Sequence, residues 1–374
     1  MTQATDLCRK CILRLTPYVP GKPIEEVKRE LGIDDIIKLA SNENPLGPSP
    51  KALEAMKAAL ANVGQYPEGS CFELRHAVAK HLDVLPEMLI FGSGADEVIH
   101  YIGVALLDGD DEIVQAHPSF VQYCAAATLM DCGAHMVPLR DWTHDLDAML
   151  AKVNERTKLF FITNPNNPTG TIVWADAVER VLDALPERCV LILDEAYYEY
   201  VDDPAYTRSI EWVRQGRNVI ALRTFSKIYA LAGLRVGYGV APVGLIELLE
   251  RVRLPFNVNS VAQVGGIASL GDAYQVTRTR EQNQRSKSFI YGELEKMGLP
   301  YTPTQANFVW MDTQRDCKEV FTELMKRGVI VRTGDIFGAP THIRVTTGTD
   351  EQNERFVSTL RNVLSLPKGE VLAR

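Results

Sequence analysis

The sequence carries no excess of positive charge, no apolar run of membrane length and no paired-cysteine framework. Its 40 Lys and Arg are outnumbered by 48 Asp and Glu, giving a net charge of −8. That balance argues against a nucleic-acid partner held on a basic face. No stretch of about 18 apolar residues occurs, so no membrane-spanning helix is expected. Met1–Lys10 is polar and lacks the apolar core of a secretory signal. The seven cysteines (Cys8, Cys11, Cys71, Cys124, Cys132, Cys189 and Cys317) are odd in number and scattered. They read as reduced thiols of a cytoplasmic protein. Cys8 and Cys11 form a lone C-x-x-C, where a zinc site needs a second pair. The seven histidines show no metal-ligand spacing, and no metal is expected. A G-x-S-x-G elbow and a P-loop are both missing, which disfavours nucleophile-elbow hydrolases and P-loop nucleotide enzymes. Internal repeats and low-complexity segments are absent too.

What is present is an ordinary globular composition, 46% hydrophobic and 24% charged, over 374 residues. That length suggests a large domain plus a smaller one. The start, through Pro17, Pro20 and Pro23, reads as an extended arm leading to a helix over Ile24–Leu31. A polar, proline-rich loop follows, Ser41-Asn-Glu-Asn-Pro-Leu-Gly-Pro-Ser-Pro50, and then a helix over Lys51–Ala61. From about residue 88 short apolar runs alternate with helical patterns. The runs Met88–Phe91, Ile113–Ala116, Leu159–Thr163, Val190–Leu193 and Val219–Leu222 resemble buried parallel strands, with helices such as Glu97–Leu107 and Ala175–Leu185 between them. This predicts an α/β fold with a mostly parallel central sheet covered by helices. After Ala273 a long polar helix, Gln275–Met297, precedes strands near Asn307–Met311 and Ile343–Val345, with a helix Cys317–Arg327 between, as in a smaller α+β domain. The expected division is 1–40 as an arm and part of the small domain, 41–272 as the large domain and 273–374 as the small one.

In open α/β sheets, ligands sit beyond the carboxyl ends of the strands. Each predicted strand is followed there by chemically unusual residues: Gly92-Ser-Gly-Ala-Asp-Glu97, His117-Pro-Ser-Phe120, Asn164-Pro-Asn-Asn-Pro-Thr-Gly170, Asp194-Glu-Ala-Tyr197 and Arg223-Thr-Phe-Ser-Lys227. Any one could be a plain turn, but together on one rim they would define a single pocket. Gly92–Asp96 opens a helix whose free N–H groups and dipole attract a phosphate, although a simple strand–helix turn looks the same. Asp194 ends an apolar strand. It either caps a helix or faces a cationic partner such as a protonated heterocyclic nitrogen. Lys227 among apolar neighbours is either a snorkelling lysine or an amine nucleophile with a lowered pKa. Thr224, Ser226 and Arg235 lie close by in sequence and suit a phosphate. Arg332 and Arg344 suit an anion or a surface ion pair.

Asn164–Gly170, Asp194–Tyr197 and Thr224–Lys227, with Arg235 beyond, resemble the fold-type I aminotransferases that depend on pyridoxal 5′-phosphate. Leu15-Thr-Pro-Tyr18, Lys38–Gly47, Gln65-Tyr-Pro-Glu68, Asn257-Val-Asn-Ser260, Ala306-Asn-Phe308 and Ile343-Arg-Val-Thr346 resemble, within them, the histidinol-phosphate aminotransferase family. The resemblance runs over nearly the whole chain. It implies that Lys227 carries the cofactor as a Schiff base, that Asp194 pairs with the pyridinium nitrogen, and that Tyr197 and Asn167 bond the ring's phenolic oxygen. Phe120 would stack on the ring where many relatives have Tyr. Ala95, Asp96, Thr224, Ser226 and Arg235 would hold the cofactor phosphate. Tyr66 would reach the cofactor phosphate of a second subunit, implying a homodimer with shared sites. Tyr18, Asn42, Arg332 and Arg344 would bind substrate, the arginines taking its anionic tail. The implied reaction moves an amino group from L-histidinol phosphate to 2-oxoglutarate, giving imidazole-acetol phosphate and glutamate in histidine biosynthesis. Three other readings stay open: an aromatic amino acid aminotransferase, a pyridoxal-phosphate decarboxylase of a phosphorylated amino acid, and a regulator built on an aminotransferase-like domain.

Overall fold

In the computed structural model, which describes residues 4–17 and 21–366, the apolar runs assemble into a seven-stranded sheet. Its spatial order is Leu89–Gly92, Gly237–Val240, Val219–Thr224, Val190–Asp194, Thr157–Thr163, Glu112–His117 and Gly133–Pro138. Only Gly237–Val240 runs against its neighbours; the remaining strand directions agree. Successive residues of a strand point to opposite faces, and both faces are apolar. Val114, Phe160, Ile162, Leu191 and Leu193 enter one core, while Ile113, Leu159, Phe161, Val190 and Ile192 enter the other. Layers of helix on both faces account for these continuous apolar runs.

Two strands of this sheet escape the sequence reading. Gly133–Pro138 lies at the sheet edge with most of its residues exposed or half-buried, so no apolar run marks it. Gly237–Val240 carries two glycines, which strand propensity disfavours. The packing requires them: a Cβ at Gly237 would press into the backbone nitrogen of Ala95, and one at Gly239 would sit 3.1 Å from Val98 Cγ1.

A second, four-stranded sheet runs Arg332–Thr333, His342–Thr346, Phe308–Asp312, Tyr301–Thr302, all antiparallel. The helices Ala273–Met297, Cys317–Lys326 and Asp350–Ser365 pack on it through Ile290, Leu324, Phe356 and Leu360. The strand Ile37–Lys38 pairs in parallel with Val329–Ile330, so the segment after the first helix, Ile24–Leu31, joins this half of the molecule. The arm ahead of it is not simply extended. It contains a 3-10 turn at Lys10–Arg14, and buried Cys11 donates from Sγ to Leu129 O while Cys8 stays nearer solvent. Among the described residues no helix is long and apolar enough to cross a membrane.

Candidate active site

Beyond the carboxyl ends of the parallel strands lies a cavity of about 330 Å³, and all five rim segments contribute to its wall. Ala95 and Asp96 come from the first rim segment, Phe120 from the second, Asn167 from the third, Asp194 and Tyr197 from the fourth, and Thr224, Ser226 and Lys227 from the fifth. Asn42, Arg235, Arg332 and Arg344 complete the set.

One corner is built for an anion. The helix Ala95–Leu106 begins there, and Gly94 before it holds φ at 87°, a conformation glycine takes without strain. The Arg235 guanidinium lies where a Gly94 side chain would start. It pairs with Asp96 at 3.4 Å. Ser226 donates its backbone N–H to Thr224 Oγ1 at 3.0 Å, folding the strand end inward. Free helix N–H groups, two hydroxyls and a guanidinium thus share one corner.

Asp194 ends its strand buried, 5% exposed. Its Oδ2 accepts from Tyr123 Oη at 2.6 Å and its Oδ1 from the Ala196 N–H at 3.0 Å. Burial dominates these bonds and pushes the carboxyl up to about 6. Tyr123 Oη also bonds Thr163 Oγ1 at 2.9 Å, and Thr163 in turn bonds Ser119.

Lys227 reaches in from the end of the neighbouring strand, Val219–Thr224, its Nζ donating to Ser41 O at 3.1 Å. Burial first, and the Arg344 charge second, lower its amine to about 8, against the pull of Glu43 and Asp96. Nζ lies 5.7 Å from the Tyr197 ring centre. The Tyr197 hydroxyl accepts from Asn42 Nδ2 at 2.8 Å. Asn42 itself sits at φ 56° and donates its N–H to Thr346 at 2.9 Å, which turns the loop into the cavity.

Arg344 enters from the second sheet. It donates to Asn167 Oδ1 and, at 2.7 Å, to Ala40 O. Arg332 lies beside it on the neighbouring strand.

The structure therefore gathers every sequence-predicted site residue but two. Tyr66 is 83% exposed, outside this chain's cavity and stacked on Phe256 at 4.8 Å. Tyr18 lies outside the described residues. Sequence reasoning missed Tyr123, Thr163, Ser41, Glu43 and Gln122. Ser41 and Glu43 lie in the Lys38–Gly47 stretch and Thr163 ends a predicted strand, while Tyr123 stands three residues after Phe120, the two rings meeting edge-on at 5.6 Å.

Residues 34–360 match the family model for aminotransferase class I and II. The chain is 53% identical to the histidinol-phosphate aminotransferase of Moorella thermoacetica, over 96% of this chain and 93% of that one. It is 46% identical to the histidinol-phosphate aminotransferase of Caldicellulosiruptor saccharolyticus, over 95% and 99% respectively. The crystal structure of histidinol-phosphate aminotransferase from Sinorhizobium meliloti, in complex with pyridoxal-5′-phosphate, superposes with a TM-score of 0.87 at 27% identity, covering 94% of this chain and 97% of that one. A five-segment pocket around a lysine and a buried aspartate, on a chain matched nearly end to end, makes this protein a member of the class I and II aminotransferases, on their histidinol-phosphate branch, with pyridoxal phosphate as cofactor.

Proposed function

We infer that this enzyme transfers the amino group of L-histidinol phosphate to 2-oxoglutarate, yielding imidazole-acetol phosphate and glutamate. The observation that carries the reading is one cavity holding Lys227, Asp194 and two arginines, Arg332 and Arg344, on a chain 53% identical to a histidinol-phosphate aminotransferase.

The residues fit pyridoxal phosphate. Buried Asp194 is met by the Tyr123 hydroxyl and the Ala196 N–H, both neutral donors, and has its carboxyl raised; a protonated ring nitrogen would restore its charge. The corner at Gly94 would be filled by any side chain there. In this reading Ala95, Asp96, Thr224, Ser226 and Arg235 hold the phosphate, Asp194 the ring nitrogen, Tyr197 and Asn167 the ring oxygen, and Phe120 the ring face. Bound there, pyridoxal phosphate supplies an electron-poor ring that accommodates the electron pair left when an amine's α-carbon loses a proton.

The remaining chemistry belongs to the chain. Lys227 Nζ would anchor the cofactor and, once the substrate amine has taken its place there, would carry the proton from the substrate α-carbon to the adjoining cofactor carbon on the same face. A lysine lowered to about 8 is partly neutral near physiological pH, as that task needs. Arg332 and Arg344 grip the substrate phosphate in one half-reaction and a carboxylate of 2-oxoglutarate in the other, because a planar guanidinium suits both anions. Exposed Tyr66 supports a homodimer in which this residue completes the neighbouring site. Unpaired cysteines support a cytoplasmic setting.

The test is to add L-histidinol phosphate, and separately L-phenylalanine, to the cofactor-loaded enzyme and follow the cofactor's visible absorbance. Far faster conversion with histidinol phosphate is expected. Equal or faster conversion with phenylalanine would move the assignment to aromatic amino acids.

A further inference from the structure

We propose that the buried ion pair Arg223–Glu195 is a positioning device, which holds the segment Asp194–Tyr197 and the segment Thr224–Lys227 at a fixed mutual distance. The proposal rests on the cofactor-site reading above and goes beyond it to residues outside the wall of that cavity.

The pair is almost wholly shielded, with side chains 4% and 1% exposed. Arg223 donates from Nε at 3.0 Å and from Nη2 at 2.9 Å, both to Glu195 Oε2. Thr207 Oγ1 donates to Oε1 at 2.7 Å and Ser209 Oγ to Oε2 at 2.9 Å, so the carboxylate is well satisfied. The guanidinium carbon lies 3.6 Å from the Tyr198 ring centre, a close cation–π stack.

Glu195, Tyr198 and Arg223 are each the chain neighbour of a cavity residue. Glu195 follows Asp194, Tyr198 follows Tyr197, and Arg223 precedes Thr224. Cavity residues and cluster residues thus share the same two stretches of chain. The strand ladder itself runs out at this point: Asp194 stands opposite Leu222, and the Glu195 N–H bonds Leu222 O at 2.9 Å. Past it no strand pairing joins the two segments, although Lys227 Nζ ends 5.7 Å from the Tyr197 ring centre. The ion pair and its aromatic lid are what tie them together where the ladder stops.

Energetics point the same way. Burying two charges costs several kcal/mol per ion before their attraction offsets it, and apolar residues of similar volume often serve stability as well or better. A stability role alone would therefore be met by an apolar pair, whereas a two-point, directional bond sets distance and angle.

The experiment uses the full chain with pyridoxal phosphate and three measurements: melting temperature, cofactor affinity, and the pH titration of the bound cofactor's absorbance. The double variant Glu195→Leu/Arg223→Met removes both members of the pair together; it also takes the Arg223 charge away from Glu199, whose buried carboxyl that charge lowers. It is expected to melt within a few degrees of the parent, to bind cofactor at least tenfold more weakly and to show a displaced titration. Arg223→Lys keeps the charge and loses the fork, and is expected to weaken cofactor binding with a smaller change in melting temperature. A double variant with parental cofactor affinity and titration overturns the proposal. Should that variant not fold, Arg223→Lys decides: parental affinity and titration with lowered melting temperature would reduce the pair to a structural role. Cofactor uptake by the parent protein, read in the same titration, tests the cofactor-site assignment separately.

Discussion

Tyr123 donates its hydroxyl hydrogen to Asp194 Oδ2 over 2.6 Å, inside the core, where both residues are buried. The bond counters the burial that raises the Asp194 carboxyl, and a hydrogen bond to a charged group is worth roughly 1.5–3 kcal/mol. Tyr123→Phe should leave the ring volume in place and push the Asp194 carboxyl further up. Cofactor affinity, followed by fluorescence titration near pH 7, should fall about tenfold. Unchanged affinity would mean the hydroxyl serves only the core.

Asp194 sets stability against function. Its carboxyl rises from 3.8 to about 6 on folding, so between those values the native state holds the proton more firmly than the unfolded chain. Stability of the cofactor-free protein is therefore lost as pH climbs through that window. At about 1.4 kcal/mol per unit, the cost approaches roughly 3 kcal/mol above pH 6. Asp194→Asn should raise the melting temperature of the cofactor-free protein at pH 8, raise it less at pH 5, and weaken cofactor binding at both. Thermal scans with and without cofactor check this; a gain independent of pH would refute the linkage.

The Lys227 amine, lowered to about 8, becomes neutral as pH rises through that value. Only the neutral amine attacks a carbonyl. The rate at which cofactor-free protein takes up pyridoxal phosphate should rise through pH 8 and level off beyond. Arg344→Gln removes the second cause of the lowered value, so the midpoint should move upward. Stopped-flow absorbance across a pH series measures both; an unmoved midpoint would show that the two cations do not interact.

Much of this site was legible because its chemistry and its fold share one signal. Apolar runs such as Val190–Leu193 end in Asp194, and the residue that ends a buried strand also faces the ligand. The sequence alone thus assigns the five rim segments to one pocket. Gly237–Val240 was illegible because its glycines answer to Ala95 and Val98, which are remote in sequence. Tyr123 was overlooked because a buried tyrosine in a helix reads as core, and its partner Asp194 is 71 positions away. The loop at Ser41–Glu43 showed composition without direction. Its entry into the cavity depends on the Asn42 backbone at φ 56° and on Thr346 from the second sheet.

Arg332 stands directly opposite Arg344 in the antiparallel register of the second sheet, and both line the cavity. Facing residues on adjacent strands share one side of the sheet, and like charges placed so repel. An anion between them relieves the repulsion and gains charge-assisted bonds from both. If the same pair serves both half-reactions, damage to it must appear with both substrates. Arg344→Lys keeps a charge and loses the planar fork that holds Asn167 and Ala40. Loss of about 1.5–3 kcal/mol should lower kcat/KM roughly 10- to 100-fold for L-histidinol phosphate and for 2-oxoglutarate alike. Arg332→Ala should act in the same direction, and the double variant should cost less than the sum of the two, because each arginine's contribution includes relief of the other. Steady-state kinetics with each substrate varied in turn supply the numbers. A loss confined to histidinol phosphate would mean that the keto acid is held elsewhere in the cavity.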